Sequence, residues 1–156
     1  MKMIVGHQSY KSEFYKLLGV NYLELLLETN SSSALAMKNA HKTMLEIFQD
    51  LICLEKYYGP VQMGVFGLEY SYLPKKYTIC IESERGIITI MVKNDENKFF
   101  YPSMIYSEAN YYHYADNKED VFQLINLTYK SIIKKEIIFL SSEEFIKHNE
   151  QRKFET

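Results

Sequence analysis

The sequence of 156 residues has no tryptophan and only two cysteines, and this scarcity limits the chemistry that the chain can carry. Cys53 and Cys80 each lie in an apolar pattern, and neither belongs to a CxxC motif or to a cluster of cysteine and histidine. Such isolated thiols are typical of a reducing compartment. We therefore predict that both cysteines are reduced, buried and too far apart to form a disulfide.

Long apolar runs and strong charge of either sign are also missing. No stretch of about 18 apolar residues occurs, and the segment from Met1 to His7 lacks the apolar core of a signal peptide. The net charge of -2 and the pI of about 6.1 do not match the basic footprint of a nucleic-acid-binding protein. We therefore expect a soluble cytoplasmic protein that binds neither membranes nor nucleic acids.

The composition is otherwise that of an ordinary globular chain, except for its tyrosine content. Hydrophobic residues make up 47% and charged residues 24%, which argues against long disorder, and the length predicts a single domain over residues 1–156. There are 14 tyrosines. Tyrosine is enriched at protein interfaces, but AT-rich coding raises tyrosine together with isoleucine, lysine and asparagine, so composition leaves both explanations open.

The clearest structural signal is the two-residue periodicity from Tyr77 to Tyr106, which predicts the middle of an antiparallel sheet. The turn Glu84-Arg85-Gly86 separates two strands, and the polar segment from Asn94 to Asn97 forms the next turn. Pro102 cannot donate to a sheet ladder, so the last strand should lie at an edge or break there. The strands of this meander are predicted at 65–72, 77–82, 87–92 and 99–106.

Helical spacing predicts helices on both sides of this meander. The first lies within Gln8 to Glu28, as one helix with a break or as two short helices. The second begins near Asn30 and ends at Gly59-Pro60, because proline cannot continue a helix. A third runs from a cap at Asp116 or Asn117 to about Lys135, and a last helix begins at Ser141 or Ser142. The apolar run from Ile137 to Leu140 suits a fifth strand covered on both faces.

These elements together predict an α+β fold: a four-stranded antiparallel meander plus a fifth strand, covered by two N-terminal helices and two C-terminal helices. The inward phase of the strands and the apolar stripe of the third helix define the predicted core. Its members are Ile79, Ile81, Ile88, Ile90, Leu124, Ile125 and Ile138.

Groups that could carry catalysis are scattered along the chain. The four histidines have no metal-ligand spacing, and Gly64-Val65-Phe66-Gly67 lacks the lysine of a phosphate-binding loop, so we expect no metal and no cofactor. Either cysteine could pair with His113 as a nucleophile, but both fall on apolar patterns where an inert thiol is the usual outcome. Glu82 and Glu84 flank a turn that should be solvated.

The segment between the last predicted meander strand and the third helix interleaves tyrosines with carboxylates. Rings give contact area at small entropic cost and acids select a basic partner, so this composition favours a protein-binding surface. Some of the rings could instead cover the core. The candidate partner-binding residues are Tyr106, Glu108, Tyr111, Tyr112, His113, Tyr114, Asp116, Glu119 and Asp120.

The leading hypothesis is a non-enzymatic inhibitor of a protein partner, of the kind that serves as immunity protein against a bacterial toxin, with a basic toxin domain as its target. One alternative is a small cytoplasmic enzyme with a cleft beside the sheet, in which His113, Glu108 and a cysteine would converge. Another is an adaptor or chaperone that forms a homo-oligomer through a tyrosine-rich sheet.

Overall fold

The computed structural model describes residues 32–61, 65–134 and 137–147, and it has an α+β architecture with an antiparallel sheet. Its elements are α1 (Ser32–Phe48), β1 (Ile52–Val61), β2 (Val65–Tyr72), β3 (Tyr77–Glu84), β4 (Ile87–Lys93), β5 (Phe99–Phe100), β6 (His113–Tyr114) and α2 (Lys118–Ile133). Strands β1 to β5 are neighbours in chain order, and β6 also pairs with β4. The helix predicted within Gln8 to Glu28 lies outside the described residues.

The hairpin of β3 and β4 confirms the predicted centre of the sheet. Both residues of its two-residue turn have positive φ, 54° at Arg85 and 80° at Gly86. This turn follows the right-handed twist of the strands, and glycine takes such a φ without a side-chain clash. Strand β2 occupies the predicted residues Val65–Tyr72, so local periodicity located all three central strands.

Strand β5 contains only Phe99 and Phe100, and Pro102 then begins a 3₁₀ turn, Pro102–Met104. The prediction of a break at Pro102 is therefore confirmed, whereas a strand as far as Tyr106 is wrong. The preceding polar turn is held by Asn94, whose side-chain oxygen accepts from the backbone N–H groups of Glu96 and Lys98 at 3.0 and 2.9 Å.

The prediction that the second helix continues to Gly59-Pro60 is wrong. Helix α1 ends at Phe48, and Gln49 adopts a left-handed φ of 55°, a conformation for which the sequence carries no glycine signal. Gly59 and Pro60 instead lie in β1, where the register with β2 is irregular between Tyr58 and Val61. Pro60 has no backbone N–H to donate, and this is tolerated because β1 is at the edge of the described sheet.

The fifth strand predicted from Ile137 to Leu140 is also wrong. Leu140 forms one bridge, in which it and Phe99 exchange two backbone hydrogen bonds of 2.9 Å. Ile138 is 72% exposed, so this segment is not covered on both faces. The physical reason is that β5 has only two residues and offers little edge to pair with. The last helix does begin after Ser141, since residues 142–147 are helical.

The core lies between the inner face of the sheet and the two helices. Phe48 of α1 meets Tyr129 of α2 edge-to-face, with ring centroids 5.1 Å apart. The N-cap of α2 is Asn117, whose side chain accepts from the N–H groups of Glu119 and Asp120, as predicted. The predicted core residues that are buried are Ile79, Ile81, Ile88, Ile90, Leu124 and Ile125, and Ile138 is the exception.

One polar contact joins α1 to the sheet inside this core. Nδ1 of His41 lies 2.8 Å from the hydroxyl of fully buried Tyr70, and the two rings are stacked. Burial raises the pKa of Tyr70 well above its usual value, so its hydroxyl stays protonated and donates to His41. Burial also lowers the pKa of His41 from 6.5 to about 4, which keeps the imidazole neutral as the acceptor.

Replacing Ile90 with alanine should lower the free energy of unfolding by about 2 to 5 kcal/mol, because it removes a buried side chain and leaves a cavity. The matched control is Ile138→Ala, which should change stability by no more than about 0.5 kcal/mol because that side chain is exposed. Urea denaturation of both variants checks this. Equal losses would contradict the strand phasing.

Stability should also fall in mild acid because of His41. The pKa of His41 is about 4 in the folded protein and 6.5 in the unfolded chain. Neutral His41 therefore contributes fully to the free energy of unfolding above pH 6.5, and this contribution is lost as the pH falls toward 4. The loss should reach about 2 to 3 kcal/mol, at 1.36 kcal/mol per pKa unit. His41→Gln keeps an acceptor for Tyr70 but does not titrate. Its unfolding midpoint should therefore fall less than that of the wild type between pH 7 and pH 4.5, and parallel pH profiles would refute the assignment.

Candidate functional site

The predicted binding residues form a surface at the β6 end of the sheet, which we call the acidic-aromatic surface and define as Tyr106, Glu108, Tyr111, Tyr112, His113, Tyr114, Asp116, Glu119 and Asp120. Its most exposed rings are Tyr111 and Tyr112, at 76% and 73%, followed by Tyr114 at 49%. These three rings do not cover the core. They face solvent next to one another on the loop and on β6.

His113, by contrast, is buried and anchors the surface from below. Its Nδ1 donates to the carbonyl oxygen of Tyr111 at 2.7 Å, which leaves Nε2 of the neutral ring as an acceptor. Nε2 lies 3.0 Å from the end of the Gln123 amide on α2, which donates to it when its NH2 group is turned to the ring. Both ring nitrogens are thus engaged in holding the loop. Sequence reasoning missed Gln123, because no local pattern signals a partner ten residues away.

Backbone pairing fixes the same segment to the hairpin. His113 pairs with Ile88 in β4, and the N–H of Ala115 donates to the carbonyl oxygen of Gly86 at 2.8 Å. The segment from Ser107 to Asn117 contains a 3₁₀ turn, Ser107–Asn110, and β6, which is too short to show a periodicity in the sequence.

The carboxylates divide into one that holds the structure and three that face solvent. Asp120 Oδ2 accepts from the backbone N–H of Tyr114 at 3.0 Å, which joins α2 to β6. Glu108, Asp116 and Glu119 are exposed. The exposed charge around the rings is therefore mainly negative.

Tyr106 supports the surface rather than presenting its ring. Nζ of Lys134 lies 5.3 Å from the centroid of that ring, a cation–π contact. The Tyr106 hydroxyl is buried and has no hydrogen-bond partner among the described residues. Tyr106 and His113 therefore lie inside or beneath the surface, while the other predicted residues lie on it or at its rim.

A cleft of about 210 Å³ opens beside the exposed rings, and we call it the edge cleft. Its lining includes Ile90, Ser103, Tyr111, Tyr112 and His113. Neither cysteine lines it, nor does Glu108. The convergence of His113, Glu108 and a cysteine that an enzyme would require is therefore not formed in this cleft.

Cys80 lies instead in a groove of about 220 Å³ on the outer face of the sheet, together with Lys56, Glu69 and Glu82. Burial, and secondarily the charge of Glu69, raises the pKa of its thiol from 9.0 to about 11. A catalytic thiol requires the opposite shift, because the thiolate is the nucleophile. Cys80 therefore lacks the activation of a nucleophilic cysteine.

Neither cysteine forms a disulfide, but both are only half-buried, so the prediction of buried thiols is wrong. Cys53 pairs with Ser71, and Cys80 pairs with Met91, in the outward phase of their strands. That face is opposite the one on which α1 and α2 pack. Strand β2 separates the two cysteines, which places them about 9 Å apart or more and beyond disulfide reach.

The described residues, 32–61, 65–134 and 137–147, contain no group of three or more histidine, cysteine, aspartate or glutamate side chains that could hold a metal ion. No helix among them is both long enough and apolar enough to cross a membrane.

Comparison with known proteins identifies no relative. No protein-family model, curated protein or solved structure matches this chain. The geometry of the molecule is therefore the basis for inferring its function.

The alkylation rate of Cys80 should keep rising about tenfold per pH unit between pH 7 and pH 10, because its pKa is about 11. A variant with Cys53→Ser isolates this thiol, and its reaction with iodoacetamide is followed by mass spectrometry. An ordinary thiol levels off near pH 9. The same plateau at Cys80 would contradict the raised pKa.

Proposed function

We propose that this protein is a non-enzymatic, protein-binding inhibitor that occludes its target with the acidic-aromatic surface. The observation that carries the proposal is that two consecutive tyrosines, Tyr111 and Tyr112, are 76% and 73% exposed on a tethered segment. Single exposed apolar residues are normal on any protein. Adjacent large rings on a fixed loop are the arrangement from which interface hot spots are built.

The tethering matters because binding costs conformational entropy. The His113 imidazole and the backbone pairing of β6 already restrict the segment before a partner arrives. Less freedom is then lost on association, so more of the contact energy contributes to affinity. A rigid surface of this kind suits steric occlusion.

The charges indicate the type of partner. Glu108, Asp116 and Glu119 lie in the same segment as the rings and are exposed. The exposed bases beside this segment are Lys118, Arg85 next to Gly86, and Lys134 over the Tyr106 ring. A surface of this sign accelerates encounters with a basic protein and disfavours acidic ones. The preferred partner should therefore carry a positive patch around an apolar centre.

In its specific form, the proposal assigns the chain as an immunity-type protein in the bacterial cytoplasm, with a basic toxin domain as its target. Inhibition by such a protein requires tight and rapid occlusion of the active site of the toxin. Exposed rings would supply slow dissociation and the carboxylates fast association.

The rings are tested with Tyr112→Ala. The target is first obtained by pull-down from the protein's own host and identified by mass spectrometry, and kinetics are then measured with purified proteins. Dissociation should become about 30-fold faster or more, which corresponds to about 2 kcal/mol. Leu73→Ala is the matched control, since Leu73 is also exposed but lies in the β2–β3 turn at the opposite end of the sheet. It should leave the rate unchanged.

The carboxylates are tested with the double variant Asp116→Asn, Glu119→Gln. Association should slow severalfold at low salt and approach the wild-type rate at high salt, because screening removes the steering field. Asp120 is kept, because its carboxylate holds the backbone of Tyr114.

Two results would overturn the proposal. One is a complex in which the acidic-aromatic surface faces solvent and Tyr112→Ala binds normally. The other is turnover of a small molecule by the isolated protein that is lost in His113→Ala.

A further inference from the structure

The edge cleft lies in a gap of the sheet edge. Strand β4 pairs with β5 at Val92 and Lys93 and with β6 at Ile87 and Ile88. Residues 89–91 lie between these two pairings. After β5 the chain turns away from the edge of β4 through the 3₁₀ turns Pro102–Met104 and Ser107–Asn110, and it returns to this edge as β6. The cleft opens in the gap between β5 and β6.

The backbone of Ile90 is directed into this gap. Phe99 exchanges its hydrogen bonds with Leu140, so the N–H and C=O of Phe100 must face Val92. Backbone N–H and C=O groups point to alternate edges along a strand, so those of Ile88 and Ile90 point to the same edge of β4 as those of Val92. Ile88 faces His113, whereas Ile90 faces the cleft. A polar atom of a ligand could therefore bond to the backbone there.

The size of the cleft limits its occupant. Pockets for drug-sized ligands usually measure about 300 to 1,000 Å³. A cavity of about 150 Å³ is large enough for a benzene ring. At about 210 Å³, the edge cleft suits one ring with a small polar substituent.

The lining gives the chemistry of that ring. Within the part of the chain that the structure describes, it contains no aspartate, glutamate, lysine or arginine, so a charged group would lose hydration there without an ionic partner among these residues. Ile87 and Ala109 supply partly exposed apolar surface, the buried Ile88, Ile90 and Leu124 lie behind it, and Tyr101, Tyr111 and Tyr112 supply aromatic faces. The hydroxyls of Thr89 and Ser103 add polar atoms at the wall. This combination fits an uncharged aromatic ring with a hydroxyl group.

We propose that the edge cleft binds the phenol ring of one tyrosine side chain presented by the protein partner. The inference rests on the proposed function and deepens it, because it names a tyrosine as the central residue of the partner's binding patch. The basic residues of the partner would surround that tyrosine. Tyr111 and Tyr112 then act as two walls of the anchor pocket in addition to being contact surface.

The pocket is tested on the full chain with p-cresol, the side-chain analogue of tyrosine. In protein with labelled isoleucine methyl groups, the signals of Ile88 and Ile90 should shift saturably, with a dissociation constant in the millimolar range typical of a fragment. Butylguanidinium of similar size should shift them at least tenfold less. Shifts that do not saturate, or equal responses to both probes, would overturn the proposal.

Thr89→Phe places a ring at the mouth of the cleft and should weaken p-cresol binding at least tenfold. Thr78→Phe is the matched control on the same face of the sheet, outside the cleft, and should bind normally. If Thr89→Phe does not fold, Ser103→Leu takes its place on the opposite wall. Normal p-cresol binding by the folded variant would refute the location.

The partner complex separates this inference from the proposed function. Should Thr89→Phe bind the target normally while Tyr112→Ala does not, the pocket assignment is wrong and the proposed function is retained. Saturable p-cresol binding in a protein that forms no complex through this surface would overturn the tyrosine assignment. It would leave a site for a free phenolic compound.

Discussion

The burial of one face of the sheet against α1 and α2 is the constraint on which the rest of the structure depends. Because side chains alternate along a strand, choosing which residues face the helices also chooses which residues face solvent. Ile79 and Ile81 point inward on β3, so Cys80 between them must point outward. The contact of His41 with Tyr70 belongs to the same interface and makes it sensitive to acid.

The same alternation produces two of the three exposed rings of the candidate site. His113 and Ala115 are buried, and Tyr112 and Tyr114 on either side of His113 face solvent. The imidazole has partners at both nitrogens, and β6 pairs with β4, so these two rings project from a tethered segment. Tyr111 precedes β6, and its exposure does not follow from this alternation.

Under the proposed function, the acidic-aromatic surface and the edge cleft would be parts of one interface. The surface would present rings and carboxylates to a basic rim of the partner, and the cleft beside it would receive one uncharged side chain at the centre. A catalytic function would instead need an activated group in a cleft. The raised pKa of Cys80 is the opposite of what a nucleophilic thiol needs, and both ring nitrogens of His113 have partners within the structure.

The sequence by itself determined the elements that depend on neighbouring residues. The alternation in β2, β3 and β4, the positive φ at Gly86, the break at Pro102 and the Asn117 cap of α2 all arise from local sterics and hydrogen bonding, which a short window contains. Tertiary structure alone decided the end of α1 at Gln49, the strand at Ile52–Val61, β6 and the exposure of Ile138. Each of these depends on which distant strand or helix is available for pairing or covering. The anchoring of His113 by Gln123, and with it the shape of the candidate site, was decided in the same way, because two short segments become neighbours only after α2 packs on the sheet.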